Sequence, residues 1–147
     1  MEYVIFIWDG LPQNYINVCL ESLRLYNKTC LIQFYCSNTL IVKAYEKYNI
    51  NFKMINKNES YNRLQYYKIL ITKRLCSQLN DNDKILILDC DILFQNNPFN
   101  MFKEFPDNDF YCTNCIMSTK DSLRPEELWK SVNYKVNGGV WGLIVNN

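Results

Sequence analysis

The stretch KILILDCDILF, Lys84 to Phe94, decides how this chain is read. Its aliphatic and β-branched residues are those of a buried strand, yet Asp89 and Asp91 stand one residue apart within it. Residues i and i+2 of a strand share a face, so extended geometry through this run places the two carboxylates roughly 6 to 7 Å apart at their Cβ atoms. Like charges that close, at the end of an apolar strand, repel and resist desolvation unless a cation offsets them. Oxygen ligands favour a hard divalent ion, Mn²⁺ or Mg²⁺, which completes its shell with water and phosphate oxygens. The plainer alternative is that one aspartate caps the following turn and the other pairs with a lysine or arginine. Asp-x-Asp recurs at Asp81/Asp83 and at Asp107/Asp109, but there Asn and turn sequence surround it, and aspartate serves the backbone of a loop.

The surrounding pattern gives the run its place. Tyr3 to Trp8 reads as a first buried strand ending at the turn signal DGLP, and Tyr15, Val18, Cys19, Ser22, Leu23 and Tyr26 repeat at helical spacing up to Asn27. CLIQFYCS is a second strand, Asn38 caps a helix through about Tyr48, and NFKMI is a short third strand. From Ser60 to Leu79, Leu64, Tyr67, Lys68, Ile71, Leu75 and Leu79 fall along one helical face. The Asp-x-Asp run is then the fourth strand, broken by Asn97-Pro98, with a short helix at FNMFKEF and a fifth strand at FYCTNC. Ser118 to Asn133 is polar and reads as helix plus loop, and KVNGGVWGLIVNN is a final strand with a glycine-rich entry. Strands alternating with helices predict an α/β fold, a mostly parallel, Rossmann-like sheet with helices on both faces. In such sheets ligands bind beyond the carboxyl ends of the strands.

With 147 residues, 48% of them hydrophobic, the chain suits one domain, expected to span residues 1–147. A formal net charge of +1 without charged blocks argues against nucleic acid and anionic membrane surfaces as partners. No apolar run approaches the roughly 18 residues of a membrane span. MEYVIFIWDG runs straight into strand-like sequence and reads as part of the fold, not a signal peptide. Seven cysteines without a framework suit a reducing compartment such as the cytoplasm. Cys112 and Cys115 form one CxxC, but with no second CxxC and no histidine the four ligands of a zinc site are hard to assemble. The absence of histidine also removes Ser-His-Asp and Cys-His catalysis, leaving carboxylates, amides, hydroxyls, cations or a metal.

Taken together, the chain resembles the GT-A fold glycosyltransferases that use nucleotide sugars, of the family 8 type and the related DXD-containing sugar transferases. The resemblance rests on four ordered segments: YVIFIWDGLPQNYINVCLESLRLYN with its Trp8-x-Gly10-x-Pro12, YYKILITKRL, DKILILDCDILFQNNPF, and KVNGGVWGLIVN. It implies hexosyl-type transfer from a nucleoside diphosphate sugar, UDP first among them, to a hydroxyl of an unknown acceptor, with Mn²⁺ or Mg²⁺ as cofactor. Asp91 would chelate the metal, and Asp89 would contact metal and ribose beside Cys90. Ile7, Trp8 and Asp9 would border the base, and Asn137, Gly138 and Gly139 would line the donor sugar. Lys68 matches a basic position that approaches the phosphates, although its alternative is a solvated face. Tyr66 stands where family 8 has arginine, with Arg63 nearly a turn earlier, and no histidine is present for the family's third metal ligand. The resemblance further implies a chain truncated relative to full family members, holding the nucleotide-binding part.

Two other functions fit parts of the pattern. A haloacid dehalogenase-type phosphatase also follows an apolar strand with Asp-x-Asp, but there the motif opens the domain, whereas here three strand-helix units precede it. A non-catalytic module that binds nucleotide sugars without turnover is the other.

Overall fold

The computed structural model describes residues 1–55, 64–114 and 136–146. In chain order the elements are β1 (Glu2–Trp8), α1 (Asn14–Tyr26), β2 (Leu31–Cys36), α2 (Thr39–Tyr45) continued by a 3-10 turn at Glu46–Tyr48, and β3 (Ile50–Met54). They continue with α3 (Leu64–Cys76), β4 (Lys84–Leu88), a 3-10 turn at Pro98–Asn100 leading into α4 (Met101–Glu104), β5 (Phe110–Asn114) and β6 (Val136–Ile144). Local chemistry sets several of these limits. The Asn38 side chain accepts the Leu40 N–H at 2.9 Å and starts α2. Asn49, in the left-handed region at φ 54°, turns the chain out of the 3-10 segment into β3.

The six strands form one mixed sheet in the order β3-β2-β1-β4-β6-β5. β1 to β4 run parallel, while β6 runs antiparallel to both β4 and β5. β1 is central, with Phe6 opposite Phe34 of β2 and Leu88 of β4, which is why every residue from Tyr3 to Ile7 is buried. Alternate residues feed two cores. Val4, Phe6, Phe34 and Leu86 pack with Ile16, Leu20 and Leu23 of α1, whereas Tyr3, Ile5, Ile85 and Ile87 pack with Ile71 and Leu75 of α3.

The α/β class with a mostly parallel sheet is the architecture found. The fourth strand is shorter than its sequence predicts, ending at Leu88 and not at Phe94. Leu88 is the last residue of β4 paired with β1, opposite Phe6, and beyond it the Phe94 N–H turns to the Ser22 hydroxyl of α1 at 3.1 Å. Gly138 and Gly139 lie within β6, the final strand, as its glycine-rich entry predicts. Ser60 to Arg63, Cys115 and the polar stretch 118–133 fall outside the described residues.

Candidate functional site

The strand order reverses between β1 and β4: β2 and β3 extend to one side of β1, while β4, β6 and β5 extend to the other. Adjacent strands whose connections leave in opposite directions open a crevice at their carboxyl ends. A cavity of about 250 Å³ lies there, lined by Ile7, Trp8, Tyr15, Lys68, Asp89, Cys90 and Asp91. A larger cavity of about 520 Å³ lies between β2, β3 and α3, bordered by Tyr35, Lys53 and Arg74, with no carboxylate among its described lining residues. The smaller one holds the acids and the switch point together.

Two bonds hold the Asp-x-Asp turn. The Asp89 N–H donates to the Gly139 carbonyl at 2.7 Å, and the Phe94 N–H donates to the Ser22 hydroxyl. Asp89 therefore follows β4 directly and Cys90 and Asp91 form a turn, so the two acids meet at one cavity by way of a turn and not a continued strand face. Asp91 is exposed and Asp89 half-exposed. Cys90 borders the cavity with its thiol buried in the core, where burial pushes its pKa well above the ordinary thiol value. Burial likewise pushes the neighbouring Cys19 up to about 12. Both thiols stay protonated at neutral pH and serve as packing groups, not as nucleophiles.

Lys68 corrects the solvated-face alternative. Its side chain is 4% exposed, and Nζ donates to Asp89 Oδ1 at 2.5 Å. One half of the plainer sequence alternative, an aspartate paired with a lysine, is thus present, but it sits inside the cavity.

The wall opposite the acids comes from the first strand. Trp8 Nε1 donates to the Leu11 carbonyl at 2.9 Å, and its ring meets Tyr15 edge-on at 6.0 Å between centroids. Gly10 permits this, because a Cβ there would stand 2.8 Å from Trp8 Cζ2 and 2.9 Å from Cε2. The loop is fixed from below by the buried Tyr45, whose hydroxyl donates to the Gln13 carbonyl and accepts its N–H at 2.9 and 2.8 Å. Gly10→Ala is therefore expected to displace the indole and weaken ligand binding at least about fivefold while costing about 1 to 3 kcal/mol. Calorimetric titration beside a denaturation curve reads both.

Of the sequence candidates, Ile7, Trp8, Lys68, Asp89, Cys90 and Asp91 line one cavity. Asp9 is exposed beside it, its carbonyl accepting from the Ser37 hydroxyl at 3.1 Å. Gly139 is joined to the site through the Asp89 N–H, and Asn137 and Gly138 continue β6 past the end of β4. The side chains of Asn137 and Tyr66 lie outside the described residues, as does Arg63. Tyr15 is an addition. Burial and then the nearby Cys90 and Asp91 raise its phenol above the ordinary value, and its one signal in the sequence is its place in the first turn after β1.

No family model and no curated protein matches this sequence. Solved structures do match. An active-site mutant of LgtC aligns with a TM-score of 0.58 at 16% identity, over 97% of this chain and 57% of that one. Galactosyltransferase LgtC in complex with donor and acceptor sugar analogues aligns at 0.53 and 16% identity, over 97% and 58%. The CMP:2-keto-3-deoxy-manno-octonic acid synthetase complexed with CTP aligns at 0.52 and 6% identity, over 98% and 74%. These likenesses show the fold, a GT-A-like sheet shared by glycosyltransferases and nucleotidyltransferases, and the chain spans less than three-fifths of the LgtC length.

Proposed function

We propose that the chain is the nucleotide-sugar-binding core of a metal-dependent glycosyltransferase, moving a sugar from a nucleoside diphosphate sugar, UDP-linked first among them, to an acceptor hydroxyl. One observation carries the reading: Asp89, Asp91 and Lys68 converge with the end of β1 on a single cavity at the switch point of a GT-A-like sheet.

The residues fit a weakly held hard cation. Asp91 and Asp89 would supply carboxylate ligands, and no cluster of three or more His, Cys, Asp or Glu suited to a metal exists among the described residues. Most of the shell would thus be water and diphosphate oxygens, the habit of Mg²⁺ and Mn²⁺ at phosphate sites. When bound, the ion supplies Lewis-acid neutralisation of the charge that grows on the diphosphate leaving group. The chain's own groups do the rest. Ile7 and Trp8 give the base a rigid wall, Lys68 adds a cation facing the phosphates, and the Asn137-Gly138-Gly139 edge of β6 lets the donor sugar approach the backbone closely. The bond from the anomeric carbon to the diphosphate would break through an oxocarbenium-like state as the acceptor oxygen bonds that carbon, its hydroxyl proton passing to the departing diphosphate or to solvent.

A thermal-shift panel of nucleotide sugars, with and without Mn²⁺, tests the reading. A donor present at a hundred times its Kd adds about 2.7 kcal/mol by mass action, a rise of roughly 5 to 10 °C for a domain this size. A shift that needs Mn²⁺ is the expected result, and a panel with none overturns the reading. Donor hydrolysis then separates turnover from binding alone. The likeness to a CTP-bound synthetase favours a second reading, nucleotidyl transfer. CTP belongs in the same panel, with pyrophosphate release as its signature.

A further inference from the structure

The shortest polar contact in the cavity poses a question of charge. Asp89 is the acid that leads out of β4, yet one of its oxygens already holds the ammonium of Lys68 at 2.5 Å. The lysine side chain is 4% exposed against 47% for its partner, so the pair sits with its cation inward and its anion toward the cavity. Among the described residues two carboxylates and one ammonium line this space, a balance of one negative charge to attract a divalent ion. A cation arriving alone must share Asp89 with a fixed positive charge a few ångströms away, a repulsion that partial burial strengthens. A diphosphate changes the balance, since it brings two or more negative charges that both cations can face. Lysine suits that exchange, having a flexible stem that carries a point charge with three donors.

We propose that Lys68 is a built-in counter-ion that keeps metal affinity low in the empty site and couples metal binding to nucleotide binding. In the empty site the ammonium satisfies Asp89. When the diphosphate enters, the ammonium turns part of its hydrogen bonding to phosphate oxygens, and Asp89 becomes free to bind the ion. Metal and nucleotide then tighten each other by the same factor, as linkage requires. This rests on the nucleotide-sugar reading above and adds to it the regulation of that site. It also explains why a chain whose described residues offer two acids and no third ligand has a buried lysine beside them: the lysine prevents the site from filling with adventitious divalent ions.

The test is a titration of Mn²⁺ followed by the electron paramagnetic resonance of the free ion, with and without UDP, on the native chain and on Lys68→Met, Lys68→Gln and Lys68→Arg. In the native chain UDP is expected to tighten Mn²⁺ by about tenfold or more. Lys68→Met is expected to bind Mn²⁺ alone about tenfold more tightly than the native chain, with UDP tightening Mn²⁺ by a smaller factor than in the native chain. Lys68→Arg keeps the charge and should keep the native pattern. Lys68→Gln retains a donor for Asp89 without the charge and replaces the methionine variant should far-ultraviolet circular dichroism show that one unfolded. A neutral variant that is folded and binds Mn²⁺ alone no better than the native chain overturns the coupling while leaving the nucleotide-sugar reading intact. A native chain that binds neither Mn²⁺ nor UDP overturns both.

Discussion

Asp91→Ala is expected to weaken Mn²⁺-dependent UDP binding by about a hundredfold, equivalent to about 2.7 kcal/mol, while leaving the unfolding free energy within about 0.5 kcal/mol of the native value. The asymmetry follows from where the side chain sits. Asp91 is exposed in a turn, with no salt bridge among the described residues, so folding asks nothing of its carboxylate. It nevertheless faces the same cavity as Asp89, Trp8 and Lys68. An acid that the fold does not need, held beside a second acid at the switch point, is best explained by a ligand. On the proposed reading, a hard ion would lose one of its two protein carboxylates without it, and the diphosphate would lose the ion. Calorimetric titration of UDP with and without Mn²⁺ measures the effect. Nucleotide binding that stays Mn²⁺-dependent and undiminished in the variant would remove Asp91 from the site.

Much of the frame was legible because burial and periodicity coincide. The apolar run Tyr3 to Ile7 is the buried centre of β1, and the helix expected up to Asn27 is α1, although it buries Ile16 and Leu20 with Cys19, Ser22 and Leu23 and leaves Tyr15, Val18 and Tyr26 exposed. The end of β4 was not legible, because Ile92, Leu93 and Phe94 are apolar and continue the look of a strand. Their packing differs from that look: Leu93 is 60% exposed, and Phe94 is buried against α1. Lys68 was legible in position but not in role. The helical spacing puts it on the face of Tyr67, Ile71 and Leu75, and the structure buries it there while exposing Ile69 and Leu70, but residue type alone favours a solvated lysine. A salt bridge between residues 21 positions apart leaves no local signature. The reversed direction of β6 is equally silent, since strand propensity does not encode direction. What composition did convey was the range of chemistry: without histidine, carboxylates, amides, hydroxyls, cations or a metal were the groups left to act.

Asp89→Ala should behave differently from its neighbour two residues away, losing stability as well as ligand. Removing one member of a fully buried ion pair costs about 3 to 5 kcal/mol. Because the Asp89 side chain is 47% exposed, solvent screens part of that, and about 1 to 3 kcal/mol is the expected loss. The Asp89 N–H keeps its bond to Gly139 in the alanine variant, so the β4–β6 junction is preserved and the loss reports the side chain. The charge origin of the effect can be isolated. In Asp89→Ala/Lys68→Met the buried ammonium has been removed along with its carboxylate, and an apolar pair of similar volume is often as stable as the ion pair it replaces. Denaturant unfolding of the two single variants, the double variant and the native chain closes a double-mutant cycle. The double variant is expected to recover most of the stability lost in Asp89→Ala without regaining Mn²⁺-dependent UDP binding. If Asp89→Ala unfolds at the native denaturant midpoint, the Lys68–Asp89 contact contributes nothing to the fold. If the double variant stays as unstable as Asp89→Ala, packing and not the unmatched charge sets the cost.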